Sequence, residues 1–447
     1  MKLAWYTPYS KYSAIGAFSR EVITALLANG HQVTAIRSEK PNSRVSKTDA
    51  TRVCSLENAH SFDARAEEYL SGFDLVIYNL GNHFANHYYA IEHQRRVPGV
   101  TILHDYMLHH LLYEWCCEDP SRSYCQVLSE EAGDAALAAY QAAASKDIQK
   151  DWFMSAATKH PVLKFAAANT LGVVTHADFY QESTARLLNC PVTTIPLAYP
   201  QSIERNFPSP TIPDSKLQLL TIGDVNLNKR CESIIHALGS HPWLASKWQY
   251  RIAGGVSKSY AEHLKQIAKA GASPVDLELL GSIDDKTLAR EMNNSNAIAC
   301  LRFPIIEGAS ASIISSLASG RPTLVSCGGC YDEIPDALVM RVPIETETAT
   351  IQKHLEFITK NYAKSVESAE KAKEWVVNRH SGGHYAKAFD EFLQASMPEL
   401  FLAAFSDQIA ECLTQWNWTS EGPVINSVEM EMNTLFRNSA RNAKVST

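Results

Sequence analysis

The stretch FPIIEGASASIISSLASGRP, residues 303–322, places one acidic residue, Glu307, and a row of small residues between an apolar run and a helix-like segment. The preceding run AIACLRFP (297–304) has the pattern of a buried strand, so Glu307 falls at its carboxyl end. Small residues let a phosphate approach the backbone, and a helix N-terminus attracts anions. A carboxylate repels phosphate but accepts hydrogen bonds from hydroxyls. The stretch predicts a ligand with a polyol and a phosphate, such as a nucleotide sugar; the competing interpretation is a surface acid beside a helix cap.

Short apolar runs alternate with amphipathic stretches in both halves of the chain. Runs of about four to eight residues bounded by turn residues are typical of buried parallel strands. We expect strands at 3–6, 32–36, 75–79, 101–104, 173–176 and 193–197, and at 218–222, 250–253, 277–280, 297–301, 323–326 and 339–342. Helical patterns lie between them, among them AFSREVITALLANGH (17–31), in which Gly30 is placed to end the helix. This alternation predicts an α/β chain of two doubly wound, Rossmann-like domains.

The segment YPQSIERNFPSPTIPDSK (199–216) is polar and rich in Pro and Ser, a composition typical of linkers. We therefore expect a first domain over 1–205 and a second over 206–385. Two regions interrupt the alternation: an Ala-rich helical insertion at about 113–165 and a helical tail at 386–447. Because ligands of open α/β sheets bind beyond the carboxyl ends of the strands, two such domains predict a central cleft between them.

Composition narrows the class of protein. The 447 residues carry a net charge of −7, which gives no basic surface for nucleic acid. The first residues, MKLAWYTPYSKY, do not read as a signal peptide, and no run of about eighteen apolar residues could span a bilayer. The ten cysteines then indicate reduced thiols. We expect a cytoplasmic protein; peripheral contact with the inner face of a membrane stays open.

Further strand ends carry residues suited to phosphate binding. In IGDVNLNKRCESII (222–235), Gly223 permits a tight turn, and Lys229 and Arg230 precede a helix, where a cation can pair with a diphosphate. Gly254 follows the next strand, and Gly16 follows the first strand of the chain within TPYSKYSAIGAFS. A full G-x-G-x-x-G fingerprint is not present.

Two other kinds of site have weaker support in the sequence. His104, Asp105, His109 and His110 are candidate zinc ligands, but their spacing matches no closed set of metal ligands. Cys327 and Cys330 form a single C-x-x-C, and its two central glycines suit a ligand-contacting turn better than redox chemistry. We expect no metal.

Together the segments LLTIGDVNLNKRCESIIHAL, LRFPIIEGASASIISSLASGRPTLVSCGG and PGVTILHDYMLHH resemble the retaining GT-B glycosyltransferases of family 4, the glycogen-synthase-like type, over about residues 1–380. The resemblance implies a first domain on the acceptor side, a second domain for the nucleotide sugar, and a tail that crosses back to the first domain.

The resemblance also implies roles for single residues. Glu307 would bind donor-sugar hydroxyls, the backbone N–H groups of residues 308–311 (Gly308, Ala309, Ser310 and Ala311) would hold sugar and phosphate, Lys229 would neutralise the diphosphate, and His104 would lie near the transferred sugar. Gly16 would lie in the loop facing the phosphates and acceptor. Ser315 is expected to bind the nucleotide at the position where the family usually has a ribose-binding glutamate, and Asp224 replaces a frequent arginine.

The implied activity is metal-independent, retaining transfer of a hexosyl group from a nucleoside-diphosphate sugar to a glycan or lipid-linked acceptor. Surface polysaccharide or glycoconjugate synthesis is the expected process. No cofactor is expected, because the nucleotide sugar is the donor substrate. Two alternatives remain: a non-catalytic sugar-nucleotide-binding subunit and a GT-B nucleotide-sugar epimerase. The sequence does not indicate the oligomeric state.

Overall fold

The computed structural model describes residues 1–10, 13–40, 56–58, 64–146, 152–153, 156, 159–199 and 216–396. Within these ranges the chain forms two parallel sheets flanked by helices, so the predicted α/β fold with two Rossmann-like domains is confirmed. No helix among the described residues is long and apolar enough to cross a membrane. The expected boundary between 205 and 206 lies outside the described residues.

The sheet of the first domain has seven described strands in the order β3-β2-β1-β4-β5-β6-β7. They are β1 Lys2–Thr7, β2 Gln32–Arg37, β3 Leu56–Asn58, β4 Leu75–Leu80, β5 Gly99–Leu103, β6 Thr170–Thr175 and β7 Val192–Thr194. All pairings between them are parallel. Strand β3 was not predicted, because an edge strand of three residues is too short to show a pattern of its own.

The sheet of the second domain has six strands in the order β10-β9-β8-β11-β12-β13. They are β8 Leu217–Ile222, β9 Trp248–Ala253, β10 Asp276–Gly281, β11 Ala297–Cys300, β12 Thr323–Ser326 and β13 Met340–Val342. In both sheets the strand order reverses between two central strands, β1 and β4 in the first domain and β8 and β11 in the second. Ligands of doubly wound sheets bind at such switch points.

Helices cover both faces of the sheets. They are α1 Ala14–Ala28, α2 Ala64–Ser71, α3 Phe84–Gln94, α4 His109–Glu118, α5 Tyr124–Ala144, α6 Gln181–Leu188, α7 Cys231–Gly239, α8 Pro242–Lys247, α9 Lys258–Ala270, α10 Asp285–Asn294, α11 Ala311–Ala318, α12 Glu347–Lys360 and α13 Tyr362–Arg379. A last helix, α14, is described over 382–396. Helix α1 ends as its sequence indicates, because Gly30 adopts a left-handed φ of 89° just after it.

Apolar packing fixes the insertion and the tail. Within the described part of the insertion, helices α4 and α5 contribute to one core with β5 and β6. Helix α14 packs on the first domain, where Tyr385 and Phe389 share a core with Trp5 and Phe18. The rest of the expected tail, 397–447, lies outside the described residues.

Candidate functional site

Lys229 lies in the loop between β8 and α7, at the carboxyl edge of the second sheet. Its side chain is 4% exposed, and Nζ donates to the carbonyl oxygen of Ile222 at the end of β8. Gly223, with φ of 84°, makes room for this ammonium, since a Cβ there would lie 2.7 Å from Nζ. Burial, and then the nearby Arg302 guanidinium, lower the pKa of Lys229 to about 8. The ammonium is therefore a buried cation that is still protonated at neutral pH.

Glu307 lies beyond the carboxyl end of β11 with its side chain 21% exposed. Its Oε1 accepts hydrogen bonds from Arg302 Nε at 3.0 Å and from the hydroxyl of Tyr331 at 2.5 Å. Arg302 is fixed in turn, because its backbone N–H donates to Ser326 Oγ at 2.7 Å. The carboxylate is thus oriented by two donors on its Oε1 side. A small pocket is lined by Lys229 on one side and by Arg302 and Tyr331 on the other.

The row of small residues leads into helix α11. Ser310 occupies the N-cap position and is buried, but its side chain makes no capping hydrogen bond. Ser310 and Ser312 line the same pocket as Lys229, and Ala309 borders a second small pocket between the domains. With Ala311 as the first helical residue, the N-terminal N–H groups of α11 belong to the segment beside the buried ammonium, where an anion is stabilised.

His104 follows β5 in the first domain and is nearly buried. Its Nε2 bonds to Asn79 Oδ1 at 2.8 Å, and the Asn79 amide nitrogen donates to the carbonyl oxygen of Tyr6. Because the amide is oriented in this way, His104 Nε2 is the donor, and Nδ1 is left as an acceptor in the neutral ring. Burial, with His176 nearby, holds the pKa of His104 well below its usual value.

The two domains meet at these residues. Asp105 and Glu307 form an antiparallel backbone bridge between the loops that follow β5 and β11. A Cβ at Gly308 would lie 2.5 Å from Tyr180 Oη and 2.7 Å from the His104 carbonyl oxygen. Only glycine fits this closely between the domains. Burial, together with the charge of Glu307, raises the pKa of Asp105 to about 6.

Three predicted binding residues have other contacts in this structure. Arg230 has a left-handed φ of 55°, and its guanidinium forms a two-point ion pair with the buried Glu347. Gly254 packs against the backbone of the loop at 223, since a Cβ there would lie 2.1 Å from the Gly223 carbonyl oxygen. Ser315 Oγ donates to Tyr199 Oη at 2.7 Å. Their donor-binding roles stay predictions.

The position of Gly16 differs from the expected one in the loop after β1. It lies in the first turn of α1 rather than in the loop, because Ser13 caps the helix and its Oγ accepts from the Gly16 N–H at 3.1 Å. A Cβ at Gly16 would lie 2.6 Å from the carbonyl oxygen of Pro8. The glycine therefore allows the helix to pack closely against the preceding loop.

The metal and thiol alternatives gain no support from the described residues. No group of three His, Cys, Asp or Glu side chains there is arranged to hold a metal ion. His109 is buried in α4, where its Nδ1 bonds to Tyr124 Oη at 2.6 Å. Cys327 and Cys330 are free thiols, and burial raises the pKa of both.

Two residues of the site were not predicted. Tyr331 follows β12 and holds Glu307, and Tyr180 stands against Gly308 from the first domain. The position of Tyr331 shortly after the predicted strand at 323–326 is the signal that could have identified it. Tyr180 has no comparable signal, because it becomes part of the site only through packing of the two domains.

Comparison with solved structures decides the architecture. Sucrose-phosphate synthase from Thermosynechococcus elongatus superposes with a TM-score of 0.60 at 14% identity, covering 88% of this chain and 98% of that chain. HepE from Anabaena in complex with UDP and glucose superposes with a TM-score of 0.57 at 13% identity, covering 88% of this chain and 100% of HepE. WaaG, a glycosyltransferase involved in lipopolysaccharide biosynthesis, superposes with a TM-score of 0.56 at 14% identity, covering 88% of this chain and 99% of WaaG. The chain has the GT-B fold.

Sequence comparison adds a family to the second half. Residues 202–375 match the model of the glycosyl transferases group 1. The matched residues include all six strands of the second sheet of this GT-B chain. A search of curated proteins finds no match to its sequence.

Proposed function

We propose that the protein is a retaining, metal-independent glycosyltransferase that moves a hexosyl group from a nucleoside-diphosphate sugar to an acceptor hydroxyl. The observation that carries the proposal is the convergence of a buried ammonium, an oriented carboxylate and a helix N-terminus at one sheet edge, facing a neutral histidine of the other domain. The structurally similar HepE was solved in complex with UDP and glucose, which supports a UDP-sugar as the donor.

In this mechanism Lys229 and the N-terminus of α11 bind the diphosphate. As the bond between the sugar and the diphosphate breaks, negative charge grows on the leaving phosphate. A fixed ammonium 4% exposed and preoriented N–H groups stabilise that charge without reorganising water. Because Lys229 is protonated at neutral pH, it supplies this charge itself.

Glu307 and His104 bind the transferred sugar from opposite domains. Arg302 and Tyr331 hold one oxygen of the Glu307 carboxylate, and the other accepts from sugar hydroxyls. His104 Nδ1 accepts a further hydroxyl. We propose that the acceptor hydroxyl attacks from the face the diphosphate leaves, and that its proton passes to a leaving-phosphate oxygen. This route retains the anomeric configuration and uses no covalent nucleophile.

The test compares affinities for a nucleotide sugar and for its nucleotide. Glu307→Gln keeps the shape of the side chain but removes its charge, and Glu367→Gln, on an exposed part of α13, is the matched control. We expect the Glu307 variant to bind UDP normally, to bind its UDP-sugar roughly ten- to a hundredfold more weakly, and to lose turnover, since hydrogen bonds to charged groups contribute about 1.5–3 kcal/mol.

Wild-type protein that neither binds nor consumes any of a panel of UDP-, GDP-, ADP- and dTDP-sugars would contradict the proposal. If the variant loses affinity for UDP and UDP-sugar equally, Glu307 is not a sugar ligand. If it keeps both affinities and full turnover, Glu307 is a surface acid.

One observation favours a second candidate, a sugar-nucleotide-binding subunit without activity. Ser315 has no carboxylate and its hydroxyl bonds to Tyr199, and Asp224 places an exposed acid at the edge where a diphosphate would bind. Such a subunit would bind the nucleotide sugar but form no glycoside. Release of UDP that depends on added acceptor supports the transferase and excludes this candidate.

A further inference from the structure

We propose that the acceptor carries a neutral lipid portion, and that this portion binds to an apolar rim formed by Phe179, Leu227, Phe303 and Ile305. The inference rests on the proposed function and names the class of its acceptor. The acceptor hydroxyl would enter the cleft while the hydrocarbon lies along the rim outside it.

Three of the four apolar side chains of the rim are largely exposed to solvent. Leu227 is 67% exposed, Phe303 49% and Phe179 39%. Only seven large apolar side chains reach this level of exposure among the described residues, and these three stand at carboxyl edges of the two sheets. Single exposed apolar residues are ordinary, but a group of them from two domains beside one cleft indicates a binding surface.

Backbone contacts join the members of the rim. The Phe303 N–H donates to the Asn228 carbonyl oxygen at 2.9 Å, and the Asn228 side chain donates to the Pro304 carbonyl oxygen, which fixes the loop of Leu227 to that of Phe303. Across the domain boundary, a Cβ at Gly329 would lie 2.6 Å from Ile305 Cγ2 and 3.9 Å from Phe179 Cε1. Gly329 thus brings Ile305 and Phe179 together.

The rim begins where the polar pocket ends. Phe303 follows Arg302 in sequence, and Leu227 precedes Lys229 by two residues. The sugar and diphosphate of the donor are polar, and the residues proposed to bind them are Lys229 and Glu307. An apolar surface next to that pocket fits a ligand with a hydroxyl-bearing head and a hydrocarbon tail.

Charge favours a neutral lipid over an anionic one. Lys229 is buried inside the pocket, and Arg302 is paired with Glu307, so neither faces outward along the rim. Asp178 precedes Phe179, Asp224 lies three residues before Leu227, and both are exposed; Arg230, three residues after Leu227, is paired with Glu347. A phosphate-bearing head group would be repelled there.

The experiment measures binding of two glucosides that share a head group and differ in the chain. n-Octyl β-D-glucopyranoside, below its micellar concentration, and methyl β-D-glucopyranoside are titrated by calorimetry into protein saturated with UDP. Phe303→Ser removes a rim side chain. Phe357→Ser is the matched control, because Phe357 is 38% exposed and lies beside Pro322 and Thr323 at the opposite edge of the sheet.

We expect wild type to bind the octyl glucoside at least tenfold more tightly than the methyl glucoside, a difference of about 1.4 kcal/mol. Phe303→Ser should reduce this preference severalfold, and Phe357→Ser should leave it unchanged. Affinity for UDP should be the same in all three proteins.

Three outcomes would overturn the inference: equal affinity of wild type for the two glucosides, no measurable binding of the octyl glucoside, or an unchanged preference in Phe303→Ser. If wild type still binds UDP in any of these cases, the proposed function is not contradicted. A loss of UDP affinity in Phe303→Ser, with octyl binding intact, would make the rim a nucleobase platform instead. Absence of UDP and UDP-sugar binding by wild type would overturn the proposed function and this inference with it.

Discussion

Replacing Lys229 with Met should stabilise the ligand-free protein and weaken binding of the nucleotide. The ammonium is 4% exposed, and its pKa falls from 10.5 to about 8 on burial. That shift corresponds to about 3 kcal/mol against the charged form at neutral pH. Met has a similar volume and no charge; loss of the hydrogen bond from the charged ammonium to the Ile222 carbonyl oxygen costs about 2 kcal/mol. The net gain is about 1 kcal/mol.

Binding should change in the opposite direction. A charge-assisted hydrogen bond to a diphosphate contributes about 1.5–3 kcal/mol, so the dissociation constant of UDP should rise roughly ten- to a hundredfold. Wild-type affinity should also fall as pH rises through about 8, where Lys229 loses its proton, and Lys229→Met should lack this dependence. Calorimetric titrations at several pH values and thermal melts without ligand measure both effects.

Lys216→Met is the control, because its ammonium forms a partly exposed ion pair with Asp276 at 3.1 Å. Exposed pairs of this kind contribute about 0–1 kcal/mol, so this variant should change little in either assay. A Lys229→Met protein that is destabilised and binds UDP normally would refute the reasoning, since Lys229 would then be a structural residue.

Three further outcomes are expected. Removal of divalent ions with EDTA should leave transfer unchanged if Lys229 provides the positive charge, which a rate assay with and without added Mg²⁺ checks. Because the pKa of Asp105 is raised in the folded state, folding takes up a proton. The contribution of Asp105 to the free energy of unfolding is therefore complete below about pH 4 and is lost as pH rises through about 6. Asp105→Asn should raise the melting temperature at pH 7.5 but not at pH 4. Gly308→Ala should slow transfer severely, because its Cβ meets Tyr180 and the His104 carbonyl oxygen; a variant of normal rate would show that the domains do not close here.

Much of the fold could be read from sequence because buried parallel strands leave continuous apolar runs. The predicted strands at 218–222 and 323–326 match β8 and β12 closely, and residues that follow such strands must meet at one sheet edge. The apolar pattern therefore suffices to predict that Glu307 and Lys229 lie at the same edge. The prediction depends only on local pattern and on the geometry of parallel sheets.

What could not be read depends on contacts distant in sequence. Lys229 and Arg230 are adjacent cations, and by sequence alone either could bind a diphosphate. Arg230 instead forms an ion pair with Glu347, which is 117 residues away. Gly254 has the sequence position of a ligand-binding glycine, but its partner is the backbone at Gly223. Local sequence cannot tell a glycine that admits a ligand from one that admits another loop.

The position of α14 has a consequence for how the chain is made. Phe389 contacts Trp5 with ring centroids 6.0 Å apart, so the core of the first domain includes a residue that is translated only after the second domain. During translation the first sheet leaves the ribosome early, and one of its apolar faces stays exposed until the second domain and α14 have been synthesised. A truncated product ending at residue 199 would expose Trp5 and Phe18 to water and to chaperones. Expression of the first domain alone therefore requires that residues 382–396 be supplied as well, in a fusion or as a separate peptide.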